Sequence, residues 1–313
     1  MAHRKSQVES AHSHPRRAGE AFEATWWDKV RVNSSVVRRH NFDVLRALRK
    51  GEPNHLIAEL GNSFKEHGRF PEVAGLDLLE AKVRDIKTSE REPHLLVVGN
   101  HPDFLRAGLE KPLWYMTVLY VIGEVMGEDP YVFVSGKLSP EFLERRTHAL
   151  RVWDGKTTEI FEKVEVGLKD REVQKCYFIL PEGQSCREDR MVAARTGATF
   201  RLVDIAVKNK IPLAVLPIAL VQETVYRNEV KGKKDVYAVH IGEEIYADEL
   251  LKEGYGRSTA ELRGRVVDEI MTRVAEMLPD EKQGFYRDFV ERRETRGVMP
   301  TFATLPPMPG LPE

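Results

Sequence analysis

Five short apolar runs recur through the middle of the chain: Leu95-Leu96-Val97-Val98, Tyr131-Val132-Phe133-Val134, Cys176-Tyr177-Phe178-Ile179-Leu180, Leu213-Ala214-Val215-Leu216-Pro217-Ile218 and Val236-Tyr237-Ala238-Val239-His240-Ile241. Runs this short, rich in β-branched and aromatic residues, read as strands buried on both faces. Between them lie stretches from Thr157 to Lys169, Gly197 to Lys208 and Ser258 to Leu278 whose apolar residues recur at helical spacing. Strands alternating with helices predict an α/β fold, a mixed, largely parallel sheet flanked by helices. No internal repeat is visible.

The flanks differ in character. Residues 1–20, with His3, His12 and His14 among Arg, Ser and Pro, read as a mobile tail in which nothing fixes a metal-binding geometry. Residues 21–90 read as a helical region, with apolar spacing in Phe42, Val44, Leu45, Leu48 and again in Val73, Leu76, Leu78, Leu79, Val83, Ile86. Breaks at Gly51-Glu52-Pro53 and Phe70-Pro71 divide it. Residues 91–280 are expected to form the α/β domain. Residues 281–313 are expected to hold a C-terminal helix and a tail that Pro306, Pro307, Pro309 and Pro312 keep from being helical.

Charge and cysteine content exclude several functions. Lys and Arg number 48 against 49 Asp and Glu, so no global field favours nucleic acid as a partner. Cys176 and Cys186 are too few for a disulfide framework and match no zinc spacing, which points to a reducing, cytoplasmic setting. No run reaches the roughly 18–20 apolar residues of a membrane span. The nearest, Pro112 to Met126, carries Trp114, Tyr115 and Tyr120 and suits a buried core helix or one resting on a membrane interface; the core reading is preferred. The expected location is cytoplasmic, or peripheral on the cytoplasmic membrane face.

In open α/β sheets ligands bind beyond the carboxyl ends of the strands. That rule selects Gly99-Asn100-His101-Pro102-Asp103 after the first run and Pro181-Glu182-Gly183-Gln184-Ser185, with Arg187 and Arg190, after the third. Histidine titrates near neutral pH and suits a general base. The arginines suit a phosphate or carboxylate. The same residues also fit a helix-capping His-Pro-Asp turn and a solvated charge cluster.

The blocks, taken in order, resemble the glycerolphosphate and lysophosphatidate acyltransferase family. Leu96 to His101 is similar to the strand and Asn-His of its first motif; Phe133-Val134-Ser135-Gly136-Lys137 to its F-V-A-K-K segment; His148 to Asp154 to a shortened second motif. Phe178 to Ser185 resembles F-P-E-G-T-R-S, the most specific block. Arg195-Thr196-Gly197-Ala198-Thr199-Phe200-Arg201-Leu202, Ala214 to Ala219 and His240 to Ile245 resemble the later motifs. The resemblance covers about His94 to Glu249.

It implies a base-and-orienter dyad, H-x-x-x-x-D, that activates an acceptor hydroxyl against an acyl thioester. The donor is then acyl-CoA or acyl carrier protein, the acceptor a glycerolipid or related alcohol, and no bound cofactor or metal is expected. His101 is the implied base. Arg106 stands where the pattern has Asp, and Asp103 is the preferred substitute orienter, with Glu110 and Asp154 as alternatives. Arg106, Lys137, Glu182, Gly183 and Arg187 are the implied substrate-binding residues. A catalytically silent binder of lipid or acyl thioester, prompted by Arg106, and a thioester or lipid hydrolase are the alternatives. A metal hydrolase fits less well, because no second histidine stands at ligand spacing from His101.

Overall fold

The computed structural model describes residues 55–66, 73–101, 110–135, 148–152, 157–183, 190–227, 232–252 and 259–295. In chain order these form α1 (Leu56–Glu66), β1 (Val73–Ala74), α2 (Leu76–Lys87), β2 (His94–Gly99), α3 (Glu110–Met126), β3 (Tyr131–Ser135), β4 (Ala149–Val152), α4 (Thr157–Lys169), β5 (Cys176–Ile179), α5 (Thr196–Lys208), β6 (Leu213–Arg227), β7 (Gly232–Ile241), β8 (Ile245–Tyr246), α6 (Ala247–Lys252) and α7 (Thr259–Glu276). Two 3-10 turns, Asp280–Lys282 and Gly284–Tyr286, lead into α8 (Arg287–Thr295).

One sheet runs in the order β1-β7-β6-β2-β5-β3-β4, with β8 paired to the start of β6. β2 lies between β5 and β6 and is parallel to both, with Val98 opposite Ile179 and Gly99 opposite Ile218. β3 is parallel to β5 and to β4, so five neighbouring strands, β6, β2, β5, β3 and β4, point their carboxyl ends toward the same edge. β7 returns antiparallel along β6 and carries β1. The sheet is therefore mixed and mostly parallel.

Burial explains why β2 shows no alternation in sequence. Leu96 and Val98 face a core built with α4, α5, α6 and α7, while Leu95 and Val97 face one built with α1, α2 and α3. All four side chains are 0% exposed, the result expected when helices cover both faces of a parallel strand. In α2, Leu79, Val83 and Ile86 form the buried stripe and close the second core. α3 is a core helix too: Val118, Leu119, Tyr120, Ile122 and Met126 are buried, and the Tyr115 ring stands edge-on to Phe178 of β5 at 5.2 Å. Among the described residues no helix is long and apolar enough to cross a membrane.

Polar contacts fix these helices at their ends. The buried Asp129 carboxylate accepts from the backbone N–H groups of Ile57 (2.9 Å) and Ala58 (3.1 Å), capping α1 from a distant part of the chain. The Lys87 ammonium at the end of α2 donates to the last carbonyls of α3, Val125 at 2.7 Å and Met126 at 3.1 Å.

Several elements depart from the sequence pattern. Val73 fits a helical spacing but sits in β1, because a two-residue strand has no periodicity of its own. β6 and β7 run well past the apolar runs that mark them, into Gln222-Glu223-Thr224 and Gly232-Lys233-Lys234-Asp235, whose polar residues hide the antiparallel pairing of the two strands. β4, of four residues, and β8, of two, are too short to register as strands. The two tails and the segments around Gly51-Glu52-Pro53 and Phe70-Pro71 lie outside the described residues.

Removing the Asp129 cap in Asp129→Ala is expected to cost about 1–2 kcal/mol in urea unfolding. Hydrogen exchange is expected to rise in α1 while β2 keeps its protection. Acid sensitivity is expected from His148, whose ring lies 4.2 Å from that of Tyr131. Burial first, then the Lys175 ammonium, hold its pKa down to about 4 against a hydrogen bond to the Asp129 backbone. The unfolded chain binds more protons than the native one between about pH 6.5 and that value, so this stability is whole above about pH 6.5 and is lost as pH falls toward 4. Glu128 and Asp129, raised by burial, act in the opposite sense. The histidine's share is therefore read as a shallower decline across this window in His148→Phe than in the wild type.

Candidate functional site

The site forms where β2 and β5 end side by side. β2 stops at Gly99 while its neighbour β6 continues, which leaves Leu220 of β6 with no partner backbone on that side. Asn100 fills the place: its side-chain Nδ2 donates to the Leu220 carbonyl (3.1 Å) and its Oδ1 accepts from the Leu220 N–H (2.7 Å). A carboxamide carries the donor and acceptor of a peptide group, so Asn100 acts as one more unit of the ladder. The next residue, His101, leaves the sheet half-buried.

Beyond β5 the chain turns at Pro181-Glu182-Gly183. Gly183 adopts φ +64 and donates its N–H to the Leu180 carbonyl at 3.1 Å. That left-handed conformation favours glycine, and a Cβ there would also meet the Arg195 side chain at 3.1 Å. The turn aims Glu182 inward, where it is 1% exposed. One carboxylate oxygen accepts a hydrogen bond from the His101 backbone N–H, and the other accepts from the Val192 N–H at 2.8 Å. A buried carboxylate is tolerated when charge-assisted hydrogen bonds replace water, and two N–H donors supply them. Glu182 thereby ties the end of β2 to the segment leading into α5. Arg195, at the start of α5, donates its N–H to the Pro181 carbonyl at 2.8 Å and closes the turn from the same side.

A cleft of 1010 Å³ opens beside this turn, between α4 and α5 and the start of α7. Leu180, Phe161 and Phe200 give it apolar walls, Arg195, Arg201, Lys208 and Arg263 bring positive charge, and Glu162, Glu165 and Asp204 bring negative charge. Asp204 engages Arg201 (3.5 Å) and Lys208 (2.8 Å), and the Arg263 guanidinium lies 5.6 Å from the centre of the Phe200 ring. Pro181 and Gly183, on either side of Glu182, form part of the cleft wall. A cleft with apolar walls and charged groups of both signs suits an amphipathic ligand.

Of the residues singled out from sequence, the structure brings His101, Glu182 and Gly183 together. The predicted orienter Asp103, with Arg106, Lys137, Asp154 and Arg187, lies outside the described residues. Sequence reading assigned Glu182 to substrate; its two oxygens in fact meet protein N–H groups. Asn100, Val192 and Arg195 belong to the site as well. Asn100 directly after a buried strand and Arg195 directly before a helix were the available signals, while Val192 contributes only its backbone and leaves none.

No protein-family model matches the chain, and no curated protein matches it. Among solved structures, the 1-acyl-sn-glycerophosphate (LPA) acyltransferase PlsC from Thermotoga maritima aligns over 82% of this chain and 92% of its own, at 15% identity and a TM-score of 0.34. A likeness this slight carries no argument about this chain.

Because both Glu182 oxygens accept, a glutamine cannot replace it: its NH₂ would face a backbone N–H. Glu182→Gln is therefore expected to lose nearly as much as Glu182→Ala, about 1.5–3 kcal/mol in urea unfolding. Amide exchange at His101 and Val192 is expected to quicken in both variants.

Proposed function

We propose that this chain is an O-acyltransferase in which His101 is the general base. One observation carries the reading: Asn100-His101 and Pro181-Glu182-Gly183, two of the family-like blocks, end adjacent parallel strands and are joined by the Glu182–His101 hydrogen bond. The imidazole takes the proton of an acceptor hydroxyl as its oxygen attacks the carbonyl carbon of an acyl thioester. The C–S bond then breaks, and the imidazolium returns its proton to the departing thiolate. Products are an ester and a free thiol, with no acyl-enzyme.

In this proposal Asp103 orients the imidazole, while Arg106, Lys137 and Arg187 bind the anionic parts of the substrates. Glu182 and Gly183 serve the substrate by shaping the turn that borders the cleft. The donor is acyl-CoA or acyl carrier protein, and the acceptor a glycerolipid or related alcohol met in solution or at the cytoplasmic membrane face. The apolar and cationic walls of the cleft support an acyl chain and a phosphate on one ligand.

The arginine at position 106, where the family pattern has a carboxylate, favours a second reading: a binder of acyl thioester or lipid that does not turn over. Thiol release from long-chain acyl donors with lysophospholipid or glycerol phosphate separates the two. The expected result is release that falls at least about 100-fold in His101→Ala, the scale of a lost general base. Saturable donor binding with no release would establish the binder instead, and release without an acyl-acceptor product would mark a hydrolase.

A further inference from the structure

The segment that Glu182 grips is held from its other side by the C-terminal part of the chain. Met191 donates its N–H to the Lys282 carbonyl and accepts from the Phe285 N–H, both at 2.9 Å. This bridge passes over Gly284 at φ +53, where a Cβ would come within 2.1 Å of the Met191 carbonyl oxygen. Three residues on, the Ala194 N–H donates to the Tyr286 hydroxyl oxygen at 3.0 Å. Tyr286 is 0% exposed.

The clasp is anchored to the rest of the fold. The Lys282 ammonium donates to the Gln222 carbonyl at 2.7 Å and the buried Gln283 side chain to the Leu278 carbonyl at 3.2 Å. Beyond it, Arg293 of α8 pairs with Glu269 (2.5 Å) and Glu276 (2.7 Å) of α7.

We propose that Tyr286 is a positioning residue for His101, acting through the hydrogen-bonded series Tyr286, Ala194, Val192, Glu182, His101. Each link is a hydrogen bond or a short stretch of backbone, so the series rests on contacts and not on nearness alone. Residues 280–286 fix the backbone at 191–195, that backbone presents the Val192 N–H to Glu182, and Glu182 presents its second oxygen to His101. The inference rests on the proposed role of His101 but not on the identity of the substrates.

The test compares full-length Tyr286→Phe with Tyr177→Phe. Each removes one buried hydroxyl and keeps its ring, and the Tyr177 hydroxyl donates to the Val164 carbonyl at 3.5 Å, away from the clasp. Amide exchange at Val192, Ala194 and His101 is expected to rise about tenfold in Tyr286→Phe, the factor that accompanies loss of one ordinary hydrogen bond. The ¹⁵N resonances and titration midpoint of the His101 ring are expected to shift in that variant and not in Tyr177→Phe. With an acyl donor and acceptor, kcat is expected to fall about fivefold with KM unchanged, a loss of transition-state stabilisation alone. His101 signals identical in the two variants would overturn the proposal, as would faster exchange confined to 191–195. If Tyr286→Phe does not fold, Lys282→Ala releases the clasp from the Gln222 carbonyl and is read in the same way. A wild-type chain without acyl transfer, whose His101 signals still respond to Tyr286→Phe alone, would refute the acyltransferase reading and leave the positioning role standing.

Discussion

The Glu182 carboxylate is the contact on which the arrangement of the candidate site depends. Its two oxygens take N–H groups from the end of β2 and from the approach to α5, segments that share no strand ladder at that point. Stripping water from a carboxylate is costly enough that the charge is stable only where both donors stand in place. The group therefore selects one geometry for three loops at once. Apolar packing could press the same loops together, but it is indifferent to small shifts in a way that a hydrogen-bonded charge is not.

The sheet prepares this meeting. With five neighbouring strands parallel and both faces covered, β2 and β5 deliver their carboxyl ends to one edge, with Val98 opposite Ile179. Asn100 then extends β2 by one unit and frees His101 from the ladder. The stiffness of the sheet thus passes to the residue immediately before the proposed base. On the far edge the capped ends of α1 and α3 do for the helical layer what the ladder does for the strands.

Much of this was legible in the residues. Unbroken apolar runs marked β2, β3 and β5 because strands buried on both faces need no alternation, and α4 stands where its spacing put it, Thr157 to Lys169. The place of the site was legible too, since it follows from strand ends. What was hidden has a common cause: it is carried by backbone groups or by partners distant in sequence. Val192 and Ala194 contribute only N–H groups, Asp129 caps a helix that starts some seventy residues earlier in the chain, and Tyr286 looks like any aromatic near a C-terminus. Glu182 was recognisable as important, but its partner was not, because an acid after a strand gives no sign of whether it faces ligand or peptide.

The Met191 bridge to Lys282 and Phe285 also bears on how the protein is made. A ribosome releases residues 101, 182 and 192 long before it releases 286, so the emerging chain holds every side chain of the proposed base and its strut while lacking the clasp that steadies them. Domains generally fold as units as they leave the ribosome. Here residues 280–286 close over the 191–195 backbone, so the brace of the proposed base is synthesised after the groups that it steadies.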